Sequence, residues 1–310
     1  MNDLVSVLIP VYNVERFVEE TIVSLTSQTY KNIEIIVVDD CSTDQTPEVL
    51  DSLSKKYKNI TVIRNRENLG IVSAMNEGLK YCSGKYIARI DGDDVAVKTR
   101  IEKQVAFLLK NPTIDIVGCS TSSMSETGEY LSTSTVACGT KQIMQTMHLY
   151  PPCCHIWLAK RKVYDVLEGY REIAPAEDYD FLLRAITSGF QIDNINEPLM
   201  KIRNRSGNTA EIAGLKQRKA HAYVLSLYRQ RLVKSNLDDY SSENMVAALK
   251  SSCLENRLHA KSNALLKKGI MTKSKIIKVT LYFSAIFISH EQFKYYVNRI
   301  RYKFIIRMLK

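Results

Sequence analysis

The sequence lacks the features that mark secreted or membrane-spanning proteins. Its seven cysteines form no C-x-x-C pair, so we expect neither a disulfide framework nor a zinc site, and reduced thiols in a cytosolic protein are the simplest interpretation. The first residues have no basic leader, and we therefore expect no signal peptide. The nearly apolar stretch 276–288 is shorter than the roughly 20 residues that a membrane-spanning helix needs.

Charge is distributed unevenly along the 310 residues. The net charge is +10, yet residues 214–310 contain 20 Lys and Arg against 5 Asp and Glu, and residues 1–213 contain 23 against 28. The hydrophobic content of 45% and the mean hydropathy of −0.16 are typical of a folded protein. We therefore predict an acidic body over residues 1–213 and a basic helical region over residues 214–310.

Strands and helices alternate through the first part of the body. Apolar runs at 5–10, 33–38, 61–63 and 86–90 read as strands, the first stopping at a proline, and the segments between them have helical periodicity. The alternation predicts an α/β fold with a mostly parallel sheet and helices on both faces. In such a sheet, ligands bind outside the carboxyl ends of the strands.

Two of these predicted strands end in acidic residues. Asp39 and Asp40 follow the second strand, and the fourth runs into the segment 90–94, IDGDD. Carboxylates this close repel unless a cation is shared between them, and their oxygens suit Mg²⁺ or Mn²⁺ bridging to a diphosphate. An acid at the other strand end can bind a ribose or a base, so a nucleotide site accounts for both clusters. A solvated acidic turn is the alternative.

Five segments, in order, resemble the signature segments of family 2 glycosyltransferases. They are IPVYN (9–13), VVDDCSTD (37–44), NLG with NEG (68–70 and 76–78), IDGDD (90–94) and AEDYD (176–180). The resemblance covers roughly residues 4–206. It implies the Rossmann-like GT-A fold and an enzyme that uses a nucleotide-sugar donor.

The resemblance also implies roles for single residues. It implies a nucleotide-binding set formed by Pro10, Tyr12, Asn13, Asp40, Asn76 and Asp91. In this set Tyr12 would stack on the base and Asp40 would accept the base N–H. A Mn²⁺ or Mg²⁺ ion would bind Asp93, with Asp91 nearby. Asp178 would be the general base, and His155 and Glu177 would lie near the acceptor.

Most of these residues also have a structural interpretation that the sequence leaves open. Tyr12 could cover the sheet edge, Asp40 could cap the turn at Ser42 and Thr43, and Asn76 could be a helix-surface residue. His155 could be structural. The acids at 177–178 could complement the dipole of the helix that they open.

The sequence departs from the family pattern at one position. The family often has Tyr-Arg-x-His after the segment that matches 197–199, and the His can complete the metal or diphosphate shell. Here residues 201–205 read KIRNR, so Arg203 matches and Arg205 replaces the His. Because arginine cannot bind a cation, we predict that Arg205 contacts the diphosphate directly.

The leading hypothesis is an inverting glycosyltransferase that moves a sugar, from a UDP-sugar donor, to a hydroxyl in a cell-surface polysaccharide or lipid-linked glycan. A single base facing the leaving group suits in-line displacement. One alternative is a haloacid-dehalogenase-like phosphatase with Asp91 as nucleophile, because DGDDV fits that motif. Another is a non-catalytic membrane adaptor with a transferase fold.

The basic C-terminal region is predicted to be helical and to contact a membrane. Helical periodicity covers 215–233 and 244–268, and a final helix places Phe293, Val297, Ile300, Phe304 and Met308 in one stripe flanked by basic residues. This pattern suits a helix on an anionic membrane surface, which would make the protein peripheral on the inner face of the membrane. The alternative is packing on the body or on a second subunit. No nucleic-acid-reading motif accompanies the charge, so no nucleic-acid partner is expected.

Overall fold

A computed structural model describes residues 2–205, 214–272 and 274–309. They form two compact units, one of residues 2–144 and 151–205 and one of residues 145–150 and 214–309. The predicted domain boundary at residue 213 lies outside the described residues. The seven cysteines are free thiols.

The chain up to residue 205 alternates between strands and helices. Its strands are β1 (Val5–Val11), β2 (Ile33–Asp39), β3 (Ile60–Arg64), β4 (Tyr86–Arg89), β5 (Val95–Ala96), β6 (Ile114–Met124), β7 (Tyr130–Ser134), β8 (Leu158–Lys160) and β9 (Gln191–Arg203). Its helices are α1 (Val18–Thr26), α2 (Thr46–Lys56), α3 (Ile71–Leu79), α4 (Arg100–Lys110), α5 (Thr140–Thr146), α6 (Arg161–Leu167) and α7 (Glu177–Thr187).

The strands form one mixed sheet in the order β3-β2-β1-β4-β8-β6-β9-β5, with β7 paired to β6. The first four strands are parallel, as predicted, and every residue of β1 is buried. Beyond β4 the sheet changes, because β8 runs antiparallel to both β4 and β6, while β6 and β9 are parallel to each other. The carboxyl ends of β1, β2 and β4 therefore lie at one edge, and α1 to α3 connect the strands that lead to it.

One strand differs from its predicted bounds, and two strands later in the chain have irregular pairing. β1 does not stop at Pro10, which lies inside the strand opposite Val38, and the strand continues to Val11. β6 extends to Met124 and forms a hairpin with β7, because its Ser- and Thr-rich part pairs on both sides. The 13-residue β9 contains Pro198, and the pairing register shifts at the adjoining residues of β6. That irregularity hides β9 from a search for strict alternation.

The second unit is helical. It contains α8 (Gly214–Val233), α9 (Ser242–Leu249), α10 (Cys253–Met271), α11 (Lys275–Ile288) and α12 (His290–Met308). The single helical stretch predicted for 244–268 is two helices, since Ser252 forms a capping box with Glu255 and starts α10 anew. Among the described helices, none combines the length and the apolar character that crossing a bilayer requires.

Candidate active site

The site is built on a buried arginine at the end of β4. Arg89 is 2% exposed, and its Nη2 lies 3.3 Å from Oε1 of Glu177 and 3.5 Å from Oδ1 of Asp91. The rings of Trp157 and Tyr170 lie 5.9 and 5.8 Å from its guanidinium carbon. Burial disfavours the charge, but Asp91 and the other neighbouring groups raise the pKa of Arg89 above its usual value. Arg89 therefore places a positive charge next to the carboxylates of Asp91 and Glu177.

Asp91, Asp94 and His155 form the one described group of three potential metal-ligating side chains, with their ligand atoms within 4.8 Å of one another. Nε2 of His155 lies 3.3 Å from Oδ2 of Asp91 and 3.6 Å from Oδ2 of Asp94. Antiparallel β8 begins three residues after His155 and pairs with β4, which explains how a residue more than sixty positions away reaches the loop 90–94.

The surroundings shift the three pKa values in different directions. Burial raises the pKa of Asp94 to about 6, and the charges of Asp91 and Asp93 act in the same direction. Burial also opposes ionisation of Asp91, but His155 and Arg89 outweigh it and lower its pKa. Burial disfavours protonated His155, yet Cys154, Asp91 and Asp94 together raise its pKa well above the ordinary value. The cluster thus draws a positive charge into its centre.

These residues fit a divalent cation. Nε2 of His155 is buried and makes no hydrogen bond to any described residue, and Oδ1 of Asp91 is engaged only by its 3.5 Å ion pair with Arg89, so lone pairs remain for an ion. Two carboxylates and one imidazole form an oxygen-rich set of the kind that Mn²⁺ or Mg²⁺ accepts. The ion would be held by Asp91, Asp94 and His155. The sequence predicted Asp91 and Asp93 as the metal ligands, whereas the cluster in the structure consists of Asp91, Asp94 and His155.

Asp93 contacts Arg205 instead. Nε of Arg205 donates to Oδ2 of Asp93 at 2.5 Å, so the predicted metal ligand and the predicted diphosphate ligand neutralise each other. Arg203, at the end of β9, also makes hydrogen bonds to the loop 90–94. Its backbone N–H donates to Oδ1 of Asp94 at 2.9 Å, and its Nε donates to the carbonyl of Asp93 at 3.0 Å.

The residues predicted to bind the base lie at the ends of β1 and β2. Tyr12 follows β1 and is 45% exposed, so its ring is available for stacking. Asn13 joins two loops, because its Oδ1 accepts from the backbone N–H of Thr43 at 2.8 Å and its own N–H donates to Oγ of Ser42 at 3.0 Å. Pro10 is buried within β1, and only Val11 separates it from Tyr12.

Asp40 and Asn76 are engaged within the protein. The carboxylate of Asp40 accepts from Asn65 and from the backbone N–H groups of Leu69 and Gly70, at 2.6, 3.1 and 2.7 Å. It therefore fixes the loop after β3, while Asp39 carries the alternative role of capping the 42–43 turn. Both ends of the Asn76 amide bind the backbone of Tyr170 at 2.9 Å, which is the structural role that the sequence left open, and its contact with a nucleotide stays a prediction.

Glu177 and Asp178 open α7 on the other side of Arg89. Burial and the neighbouring Asp178 raise the pKa of Glu177 to about 7, although Arg89 acts against this shift. Asp178 is half-buried, and its Oδ1 accepts the Tyr179 N–H at 2.7 Å. Glu177 faces Arg89, and His155 faces Asp91 and Asp94, so the contact of Glu177 and His155 with the acceptor stays a prediction.

Sequence reasoning missed Arg89, and it assigned no role to Asp94 or Arg203. A signal for Arg89 was present, because it is a charged residue inside an apolar strand and a buried charge requires a partner. Asp94 lies in the acidic segment 90–94 and Arg203 matches the family pattern, but neither signal indicates that the two residues contact each other. Their importance depends on contacts between segments more than one hundred positions apart.

Comparisons with known proteins identify the family. Residues 6–167 match the family model described as glycosyl transferase family 2. The chain belongs to this family. It is 33% identical over 279 residues to the putative glycosyltransferase EpsE of Bacillus subtilis, covering 86% of this chain and 97% of that protein. It is 28% identical over 233 residues to the amylovoran biosynthesis glycosyltransferase AmsE of Erwinia amylovora, covering 73% and 85%.

A solved structure shows the same fold. Staphylococcus aureus TarS 1–349, in complex with UDP-GlcNAc, superposes with a TM-score of 0.63 at 19% identity, over 97% of this chain and 91% of that one. The α/β body is thus a GT-A fold, as expected. The protein is a glycosyltransferase enzyme, as the leading hypothesis expected, and not the phosphatase or the non-catalytic adaptor of the two alternatives.

Replacing His155 tests the metal assignment. We expect His155→Ala to raise the dissociation constant for Mn²⁺ about tenfold or more, because even indirect supports of a metal site are worth that much. Calorimetric titration of the protein with Mn²⁺ alone provides the measurement. His148→Ala is the control, since His148 is exposed and lies in the other compact unit. Equal Mn²⁺ affinity in all three proteins would remove His155 from the site.

Proposed function

We propose that this glycosyltransferase moves a sugar from a UDP-sugar to a hydroxyl acceptor with inversion at the anomeric carbon. The observation that carries the proposal is that Arg89 contacts both Asp91 and Glu177, and so links two acidic clusters. Asp91 lies with Asp94 and His155 on one side, and Glu177 leads to Asp178 on the other. The pairing of TarS with UDP-GlcNAc supports a uridine donor.

The donor binds at the edge formed by β1, β2 and β4. Tyr12 offers an exposed ring for the base, and Asp40 sits beside it with its carboxylate directed into the 65–70 loop. Asp91, Asp94 and His155 would hold a divalent ion, which would supply Lewis-acid stabilisation for the departing diphosphate. Arg205 adds a second positive charge, since the diphosphate competes with Asp93 for its guanidinium.

Asp178 acts as the general base. The acceptor hydroxyl has a high pKa, so its attack on the sugar requires a proton acceptor within about 3 Å. Asp178 is half-buried at the first turn of α7, where the helix and the Tyr179 N–H hold its carboxylate in place. A single base facing the leaving group gives in-line displacement, and therefore inversion.

The acceptor is a growing cell-surface polysaccharide or a lipid-linked glycan. The biosynthetic role in the name of AmsE supports this assignment, because the similarity covers most of both chains. Two faces of the second unit support an acceptor at a membrane. Ile276, Val279, Phe283 and Phe287 share a face of α11 and are exposed, and so is the Phe293–Met308 stripe of α12.

The two apolar faces are continuous with each other and lie in a basic part of the chain. The rings of Phe287 and Phe293 lie 5.6 Å apart, so the apolar surface passes from one helix to the next. Residues 275–309 carry seven Lys and Arg against a single acid. Exposed aromatic groups with surrounding lysines suit the interface of an anionic membrane, where the apolar rings insert and the charges attract lipid headgroups. We place the protein as a peripheral one on the inner face of the membrane.

The first test is donor turnover with and without the base. We expect Mn²⁺-dependent release of UDP from a UDP-sugar, and a rate about 10² to 10⁴ lower for Asp178→Asn, the usual contribution of a general base. The donor panel contains UDP-glucose, UDP-galactose, UDP-GlcNAc and GDP-mannose. Asp165→Asn, on the exposed side of α6, is the control. Turnover of GDP-mannose alone would refute the uridine assignment, and an unaltered rate for Asp178→Asn would refute its role.

The second test concerns Arg205. We expect Arg205→Ala to raise the donor KM about 10- to 100-fold with little effect on kcat, since a hydrogen bond to a charged group contributes about 1.5–3 kcal/mol. Steady-state kinetics at saturating Mn²⁺ provide the measurement. Arg64→Ala, which removes an exposed pair with Asp51, is the matched control. An unchanged donor KM would exclude Arg205 from the diphosphate site.

The third test concerns the membrane. We expect the full-length protein to float with vesicles that contain anionic lipid and to float less with zwitterionic vesicles or at high salt. The double variant Phe283→Glu with Phe287→Glu should remain in the dense fraction. Val166→Glu alters an equally exposed apolar residue of α6 and should float normally. If the double variant floats with anionic vesicles as well as the wild-type protein does, the membrane proposal is wrong.

A further inference from the structure

Arg89 is buried in a way that stability alone does not explain. Its Nε and Nη1 atoms make no hydrogen bond to any residue of the described chain, and only Nη2 is engaged by acidic groups. A buried guanidinium left so incompletely bonded carries a large desolvation cost. Such a group in a native site requires a reason for being there.

Arg184 shows what a structural arginine looks like in the same fold. It is also buried, yet its three nitrogens donate to Oδ2 of Asp180 and to the carbonyls of Leu167 and Gly169, at 2.7–2.8 Å. Those bonds hold α7 against the end of α6. Arg89 makes no comparable set of backbone contacts with its side chain, and its two charged neighbours are both residues of the candidate site.

The surroundings of Arg89 prevent it from moving toward either neighbour. Trp157 and Tyr170 flank the guanidinium, and Nη2 of Arg100 donates to the Arg89 carbonyl at 2.8 Å. From this fixed position one nitrogen, Nη2, reaches Asp91 and Glu177 together. Asp91 belongs to the candidate metal cluster, and Glu177 is the residue before Asp178.

We propose that Arg89 is a positioning residue that sets the separation between the metal-side carboxylate Asp91 and the base-bearing first turn of α7. This inference rests on the proposed function, because it assigns Asp91 to the metal and Asp178 to the acceptor proton. Held by Arg89 on Oδ1, Asp91 directs Oδ2 to His155. Held on Oε1, Glu177 fixes the turn from which Asp178 projects.

Two substitutions separate the two contacts. Arg89→Met removes both, whereas Glu177→Gln removes only the charge on the α7 side and keeps the shape of the side chain. We expect Arg89→Met to raise the dissociation constant for Mn²⁺ about tenfold and to lower kcat about 100-fold, the range found for residues that orient metal ligands. We expect Glu177→Gln to lower kcat about tenfold while the affinity for Mn²⁺ stays at the wild-type value.

Two further variants keep the proposal falsifiable. Arg89→Lys retains the charge and should restore Mn²⁺ affinity to within about threefold of wild type, and it also serves if Arg89→Met does not fold. Arg184→Met is the control for loss of a buried arginine. It should lower the melting temperature without changing the affinity for Mn²⁺.

The readouts are Mn²⁺ calorimetry on the protein alone, steady-state kcat and KM, and thermal unfolding. A folded Arg89→Met with wild-type Mn²⁺ affinity and kcat would overturn the inference, and so would an equal loss of Mn²⁺ affinity in Arg184→Met. If the wild-type protein binds no Mn²⁺, the proposed metal site is wrong. In that case equal kcat values for Glu177→Gln and wild type would still overturn the inference, because the transferase activity is measured independently.

Discussion

The structure depends on keeping several carboxylates close together in a partly buried loop. Asp91, Asp93 and Asp94 lie within four positions, and their mutual repulsion would open the loop if nothing opposed it. Each is opposed by a different positive group, namely Arg89 beneath Asp91, Arg205 against Asp93, and His155 beside Asp94. The backbone of Arg203 adds a hydrogen bond to Asp94. The acidic loop is therefore held by charges that come from three separate parts of the chain.

The mixed half of the sheet supplies two of these charges. A purely parallel sheet would place the end of β4 at an open edge, whereas antiparallel β8 lies beside β4 and brings the preceding His155 to Asp91 and Asp94. The long strand β9 then ends beside the same loop and delivers Arg203 and Arg205. The first four strands thus carry the acids and Arg89, and the later part of the chain supplies His155, Arg203 and Arg205.

The parts of this account that the sequence predicts are local ones. Alternating apolar periods predict the β-α order, and acids at the ends of two strands predict a ligand site at that sheet edge. The site itself is harder to predict. The choice between Asp93 and Asp94 is decided by Arg203 and Arg205, which lie more than one hundred residues away in sequence, and no local pattern encodes which carboxylate each arginine reaches. Similarly, Pro198 interrupts the regular pattern by which β9 could be predicted as a strand, and the break between α9 and α10 depends on a cap at Ser252.

The central claim is that the acidic loop binds a divalent ion and the donor diphosphate together. The most direct measurement is a crystal structure with Mn²⁺ and UDP, with anomalous scattering used to locate the manganese. We expect one manganese bonded directly to Asp91, with Asp94 or His155 as a further ligand, and with the diphosphate bridging to Arg205. A manganese bound away from all three side chains, or a diphosphate that lies outside the β1, β2 and β4 edge, would contradict it.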